Sequence, residues 1–393
     1  MKVLLVHDYF DETGGAERIV IATKKILEEN GHTVLLYAPV SPGSFVSAVF
    51  SLRHFFSLLR EIRGFKPDIM HVHSIYRNVS PSVLLAAKRM KVPIVMTLHD
   101  FQIVCPKTSL VGENLQSCGT GFNYQCFYSN CYPRKPFNRT YQGLKALKLS
   151  LHRSIIRRTV RHFFSPSVCL LDWARKNLGV DNVSLLPNFT ASEHRPLPKP
   201  LQKNTLLFVG KLTEQKGVDV LINAVVRVRA IIPGVRLKIV GDGPEEQKLK
   251  QLAASLQVSE LITFTGNLSN AQVMKEIDDA LCVVVPSKYV ENCSLVGIEA
   301  LSRGKIIIAS NIGGLPDLVD DNVSGFLVRP NDPDDLSEKI IHVMQNYSLL
   351  PEMGARARDK YLKSFTKLAY SRTLLSVYDR IIHEARDRNA QFR

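Results

Sequence analysis

No stretch of this 393-residue chain approaches the ~20 consecutive apolar residues of a membrane-spanning helix, so a spanning segment is not expected. The opening run, Met1-Lys2-Val3-Leu4-Leu5-Val6-His7-Asp8, holds four consecutive apolar residues, short of the roughly 7–15 of a secretory signal. It reads as a buried strand, and the chain is expected in the cytoplasm. A single Trp and no recognised nucleic-acid module argue against a nucleic-acid partner. Neither the dinucleotide fingerprint G-x-G-x-x-G nor the Walker order G-x-x-x-x-G-K-[ST] occurs. There is no internal repeat and no low-complexity tract. The seven cysteines are odd in number and follow no export signal, which disfavours a disulfide framework. Four of them cluster, Cys105, Cys118, Cys126 and Cys131, with 12, 7 and 4 intervening residues, spacings that match no standard zinc pattern.

What is present suits a soluble protein with two cores. Hydrophobic residues make up 45% and charged residues 22%, near the globular average, and the length fits two domains of ~100–200 residues. The net charge of +15 is uneven: residues 1–190 carry 24 Lys and Arg against 12 Asp and Glu, the remainder 27 against 24. A basic first half points to an anionic partner: lipid headgroups, a phosphorylated acceptor or nucleic acid.

Short apolar runs alternate with helical patterns. The runs at Lys2–His7, Thr33–Tyr37, Asp68–Val72, Ile94–Leu98, His162–Ser165 and Val183–Leu186 lack strand-type alternation, as parallel strands covered on both faces do. Residues 187–204 are proline-rich and aperiodic and read as a linker. The alternation restarts with Leu206–Val209, Leu237–Val240, Ile262–Thr265, Cys282–Val285, Ile306–Ala309 and Phe326–Val328. The expected division is an α/β domain over 1–187, a linker over 188–204, a second α/β domain over 205–364 and a closing helix over 365–393 that crosses back to the first domain. Ligands of open α/β sheets sit beyond the carboxyl ends of the strands, so a cleft between two such domains is the default site. Residues 101–137 break the alternation and carry the cysteine cluster. Residues 141–161 form a basic amphipathic helix, with Leu144, Leu147, Leu151 and Ile155 at helical spacing among Lys145, Lys148, Arg153, Arg157, Arg158 and Arg161. Phe45–Phe65, with Phe50, Phe55, Phe56, Leu58 and Leu59, adds an apolar patch. Both fit either a headgroup interface or ordinary packing.

Several strand ends carry chemistry. Thr13-Gly14-Gly15-Ala16-Glu17 opens a helix after His7-Asp8, and glycines there permit close backbone approach to an anion. Gly210-Lys211 to Lys216-Gly217 offers two mobile point charges for a diphosphate. Gly241-Asp242-Gly243-Pro244 reads as a plain turn. His99-Asp100 closes a strand, where an imidazole can hydrogen-bond a hydroxyl or share charge with a phosphate. Pro286 to Ala300 holds Glu291, then a helix expected to start near Asn292 with Glu299 two turns along; carboxylates accept sugar hydroxyls and the amides at 292–295 donate.

The ordered set resembles family 4 of the retaining glycosyltransferases, which have the GT-B architecture of two Rossmann-like doubly wound domains facing a central cleft. The resemblance rests on Gly14-Gly15-Ala16-Glu17, Asp68-Ile69-Met70-His71-Val72-His73, Leu98-His99-Asp100, Pro187-Asn188, Gly210-Lys211 with Lys216-Gly217, and the Glu-x7-Glu pair Glu291 and Glu299 before Ala300-Leu301-Ser302-Arg303-Gly304. It implies that Glu291 holds the transferred sugar and Glu299 the ribose. The amides of Asn292, Cys293, Ser294, Leu295 and Val296 would bind sugar and phosphate. Lys211 and Lys216 would neutralise the diphosphate in place of a metal, His99 would touch the sugar, and Gly15 would lie against phosphate. Glu291, His99 and Lys216 are the expected catalytic residues. Lys211 stands where the family more often has Arg, and Asn292-Cys293-Ser294 where it has Gly-Phe-Gly. The reaction implied moves a hexose from a UDP- or GDP-linked sugar, with retention, to a glycan or polyprenyl-diphosphate-linked acceptor in surface polysaccharide assembly, at an anionic membrane face, without cofactor or metal. A sugar-nucleotide epimerase, a phosphorylase and a basic nucleic-acid-binding protein are the competing readings.

Overall fold

Alternate residues of each central strand enter opposite cores, which is why these strands are continuous apolar runs. In the computed structural model, which describes residues 1–8, 14–39, 48–76, 78–107, 110, 118–128, 131, 138–190 and 204–391, the pattern is clearest in the strands β7 (Thr205–Val209), β10 (Cys282–Val285) and β11 (Ile307–Ser310). Leu206, Phe208, Cys282, Val284 and Ile308 join one apolar cluster, while Leu207, Val283, Val285, Ile307 and Ala309 join another on the reverse face. The parallel pairing follows, because both faces must be covered by helices.

The chain divides into two compact units, Met1–Asn188 with Lys367–Arg393, and Phe189–Thr366. The first holds a six-stranded parallel sheet in the order β2-β1-β3-β4-β5-β6, from β1 (Lys2–Val6), β2 (Thr33–Tyr37), β3 (Ile69–Val72), β4 (Ile94–Thr97), β5 (His162–Ser165) and β6 (Val183–Leu185). Its helices include α1 (Gly15–Glu29), α2 (Leu52–Phe65), α3 (Ser82–Arg89), α4 (Asn138–Thr159), α5 (Val168–Leu178) and, from the far end of the chain, a long helix Lys367–Gln391. That last helix buries Tyr378 against the sheet and sets Tyr370 Oη 2.9 Å from Thr23 Oγ1 of α1.

The second unit orders its strands β12-β11-β10-β7-β8-β9, adding β8 (Arg236–Val240), β9 (Ile262–Gly266) and β12 (Gly325–Val328). The helices are α6 (Val218–Ile231), α7 (Glu246–Ser255), α8 (Asn270–Asp279), α9 (Leu295–Ser302), α10 (Pro333–Gln345) and α11 (Leu350–Ser364), so the long helix is α12. Each sheet reverses its winding once: between β1 and β3 in the first unit, and between β7 and β10 in the second. The first order is that of flavodoxin-type sheets and the second that of the Rossmann fold; both place a ligand at the reversal.

Two expectations are corrected here. The helix expected to begin near Asn292 begins at Leu295, because Ser294 is its cap and accepts from Gly297 N at 3.3 Å. In α4, Lys148 and Arg153 do not point at a headgroup layer. Lys148 is buried and donates to Tyr76 O at 2.6 Å, and Arg153 donates to Ile103 O at 2.7 Å and to Asn177 O. The sheet side of α4 is built from Ala146, Leu149 and Ile156, which leaves Leu144, Leu147 and Leu151 about half exposed. Phe50 and Phe56 are exposed too, whereas Leu58 and Leu59 belong to the core. Phe45, Thr13 and most of the expected linker (191–203) lie outside the described residues.

Candidate functional site

In the second unit the loops after β7 and β10 are joined at the winding reversal. Lys288 N donates to Gln215 O at 2.9 Å, Gln215 Nε2 to Val290 O at 3.1 Å, and Lys288 Nζ pairs with Asp219. Gly217 makes the approach possible: it has φ of +66°, and a Cβ there would lie 2.0 Å from Pro286 O. The junction brings Lys216 to Glu291, with Nζ 2.6 Å from Oε1. Ser287 Oγ donates to the other carboxylate oxygen at 2.5 Å. Burial raises the Glu291 carboxyl, but the Lys216 charge and the hydrogen bonds from Lys216 and Ser287 outweigh it and hold it below its ordinary value. Glu291 is therefore an anchored carboxylate whose present partner is the lysine expected to meet a phosphate.

The backbone of Glu291 is fixed from a third loop. Gly314 N donates to Glu291 O at 2.7 Å, and a Cβ on Gly313, at φ +65°, would stand 2.2 Å from that oxygen. Sequence reasoning missed this pair; the signal was a Gly-Gly step following β11, as informative as the one after β1. Lys211 is exposed on the β7 loop, Glu299 is buried in α9, and Asn292 and Cys293 precede the Ser294 cap, with Leu295 and Val296 in the first turn of α9. The turn Gly241 to Glu245 has a role of its own. Leu212 N donates to Asp242 O at 2.6 Å and Glu245 N to Leu212 O at 3.1 Å, so it supports the Lys211 loop from below.

The first unit gathers four imidazoles at its own reversal. His73 Nδ1 and His99 Nε2 share a hydrogen bond of 2.9 Å, and His71 stacks on His73 with ring centroids 4.1 Å apart. His71 is locked on both sides, by Tyr378 Oη at 2.6 Å and Thr97 Oγ1 at 2.7 Å. Burial, and more weakly His7, push His99 down to about 3, opposed by Glu17; burial and His99 push His71 to about 3 as well. His99 is thus neutral, which leaves it hydrogen bonding and removes the expected sharing of charge with a phosphate. His7 Nε2 lies 3.4 Å from Glu17 Oε1, and that bond lowers the Glu17 carboxyl against the opposing effect of burial. Glu17 folds back over Gly14, where a Cβ would meet its carboxylate, and so sits at the N-terminus of α1 beside Gly15. Asp8 is structural: its two oxygens accept from Ser74 Oγ and from the backbone N–H groups of Tyr76, Asn78 and Val79 at 2.7–3.0 Å. His73 and Glu17 stood in the motifs that carry the resemblance but had no site role assigned to them, since only the strand order brings them beside His99 and His7. Of the residues named from the sequence, Glu291 and Lys216 meet in one unit, while His99 meets His73 in the other.

The four clustered cysteines are thiols, not joined in disulfides. Burial, and next to it Cys118 and Cys131, raise Cys126, opposed by a backbone hydrogen bond at Asn123. Among the described residues no group of three or more His, Cys, Asp or Glu side chains is arranged to hold a metal ion, and no helix is long and apolar enough to cross a membrane.

The sequence profile described as glycosyltransferase family 4 matches residues 13–193, and that described as glycosyl transferases group 1 matches 189–360. The chain is 24% identical over 383 residues to the uncharacterized glycosyltransferase MJ1178 of Methanocaldococcus jannaschii, covering 93% of this chain and 94% of that one. It is 29% identical over 214 residues to the putative colanic acid biosynthesis glycosyltransferase WcaL of Salmonella typhimurium, spanning 53% of this chain and 51% of that protein. The crystal structure of Anabaena Alr3699/HepE in complex with UDP superposes with a TM-score of 0.69 at 17% identity, covering 96% of this chain and all of that one, a likeness of fold.

Proposed function

Since the chain belongs to the family 4, group 1 glycosyltransferases, with their GT-B fold, we propose that it moves a hexose from a UDP- or GDP-linked sugar to a glycan or polyprenyl-diphosphate-linked acceptor, with retention and without a metal. The observation that carries this reading is the Lys216–Glu291 pair at the winding reversal of the second unit, 2.6 Å apart with Ser287 on the far oxygen. A carboxylate held ionised is suited to accept two sugar hydroxyl hydrogens. Lys216 has three N–H donors, so it can keep one on Glu291 while turning another to the leaving phosphate. Positive charge fixed beside the departing oxygen favours the transition state over the ground state, since charge develops there only as the glycosidic bond breaks. Glu299 would take the ribose hydroxyls, Lys211 the outer phosphate, and the amides from Asn292 to Val296 the remaining oxygens. Neutral His99, oriented by His73, would hydrogen-bond the sugar, and the α1 N-terminus at Gly15 would face phosphate.

The outer face of α4 supports a membrane location for the acceptor. Half-exposed Leu144, Leu147 and Leu151 run beside Arg157, Arg158 and Arg161, and Val49 O, 3.1 Å from His152 Nε2, ties in the segment bearing exposed Phe50 and Phe56. Apolar side chains beside cations are the composition of a helix lying in an anionic headgroup layer. Surface polysaccharide assembly at the inner face of a cell membrane is the setting we propose, and the similarity to a protein named for colanic acid biosynthesis supports it.

The test is a panel of UDP- and GDP-hexoses incubated with and without lipid-linked acceptor, in EDTA and in divalent metal. Acceptor-dependent release of nucleoside diphosphate, equal in both buffers, is expected. Interconversion of donors without acceptor would replace the proposal with an epimerase, and activity restored only by metal would remove its metal-free element.

A further inference from the structure

Three helices of the first unit end together at the amino edge of β4, the side of the sheet opposite His99. There Lys88 and Lys91 from the end of α3, Arg158 from the end of α4, Arg161 from the start of β5 and Arg388 from α12 line one cavity of about 390 Å³, floored by Pro93 and Ile94. Among the described residues no carboxylate lines it. The frame is firm: Arg161 N donates to Ile94 O at 2.8 Å, Lys91 N donates to Lys88 O at 3.0 Å, and Arg388 Nε donates to Glu384 O at 3.2 Å. A second cavity of about 460 Å³ on α4 adjoins it, shares Arg158 and adds Arg157.

Helix macrodipoles offer a plain reason for cations here, since carboxyl ends are negative, but the magnitudes do not match. Three helix ends supply about half a negative charge each. Glu384, 3.4 Å from Arg388, offsets one cation more. Five cations against roughly two and a half negative charges leave a surplus of about two to three, concentrated in a recess large enough for a small ligand.

We propose that this recess is a binding site for a diphosphate group, separate from the donor site. A diphosphate carries close to the missing charge, and cations from several segments can reach its oxygens at once, which a single phosphate would not require. The source is either a soluble diphosphate or the diphosphate headgroup of a lipid, and the same residues serve both.

Inorganic pyrophosphate is titrated calorimetrically into the full chain at low salt, in a Lys216→Ala background that weakens the donor site. Binding is expected, and Lys91→Gln with Arg161→Gln should weaken it at least tenfold, while Lys25→Gln on α1 leaves it unchanged. Unaltered affinity in the double variant, or no binding before it is introduced, overturns the site. A donor site that fails the test of the preceding section leaves this result untouched. Phosphatidylcholine vesicles doped with diacylglycerol pyrophosphate distinguish the sources. Sedimentation by the parent chain but not by the double variant assigns the headgroup; sedimentation that is absent, or unchanged by the two substitutions, assigns the soluble diphosphate.

Discussion

The two winding reversals treat charge in opposite ways. In the second unit a buried carboxylate keeps its charge beside a partly exposed lysine. In the first, burial strips charge from a stack of imidazoles, and the strand ends present neutral hydrogen-bonding groups. The contrast follows from what surrounds each. Glu291 has Lys216 and Ser287 within hydrogen-bonding reach, so attraction outweighs desolvation. Among the described residues His71 hydrogen-bonds to Tyr378 and Thr97, and neither compensates an imidazolium. Under the proposed function, the reversal of the second unit would meet an anion that gains charge during reaction, and that of the first would offer neutral groups to hydroxyls.

The sharpest way to break this comparison is Glu291→Ala. It removes the proposed hydroxyl anchor and leaves Lys216 without its partner, and kcat/KM should fall about 10²–10³-fold, the size seen for losing one preorganised transition-state contact. Lys216→Ala should cost about 10²-fold. Because the two side chains touch, the double variant should lose much less than the product of the single losses. Simple multiplication of the two effects, measured in initial rates, would show that they work independently.

Gly313→Ala tests the support beneath. At φ +65°, with no room for a Cβ against Glu291 O, the substitution should destabilise the second unit by about 1–3 kcal/mol and lower turnover in the molecules that remain folded. A melting temperature and turnover both at the parental values would refute the clasp.

Acid sharpens the other side. Unfolded imidazoles titrate near 6.5, and His71 is pushed to about 3 in the fold. Between those values the unfolded chain binds more protons, so stability is whole above about pH 6.5 and declines as pH falls. His71 alone should cost about 2 kcal/mol at pH 5, read from denaturant unfolding at pH 7 and pH 5. Equal midpoints would mean that these rings ionise freely in the fold. Smallest is His73→Ala, which should lower kcat roughly tenfold by freeing His99 Nε2. Asn at the same position, able to keep the bond, should restore most of it, and ¹⁵N shifts of His99 should report the altered tautomer.

All twelve strands were legible, because parallel strands covered on both faces are apolar without alternation, and only their limits moved by a residue or so. Of the candidate site, Glu291, Lys216 and His99 stood out at strand ends. Ser287, Gly313 and His73 had no role assigned. Their importance lies in contacts between segments far apart in sequence, and sheet order makes those contacts while spacing does not record them. The start of α9 was misjudged because an aperiodic loop precedes it and Ser294 was not recognised as a cap. The orientation of α4 was also hidden: Leu144, Leu147 and Leu151 repeat as core residues do, yet Ala146, Leu149 and Ile156 take that place.

The return of α12 to the first sheet bears on how the chain is made. Tyr378, the residue that seals His71, is synthesised only after the whole of Phe189–Thr366 has been. At about 5–20 residues per second, the first sheet waits roughly ten to forty seconds on the ribosome with that face unsealed. The second unit, contiguous in sequence, can finish first. A chain truncated after Thr366 and released should therefore protect its second sheet from protease while its first is still cut, an order of maturation that runs against the order of synthesis.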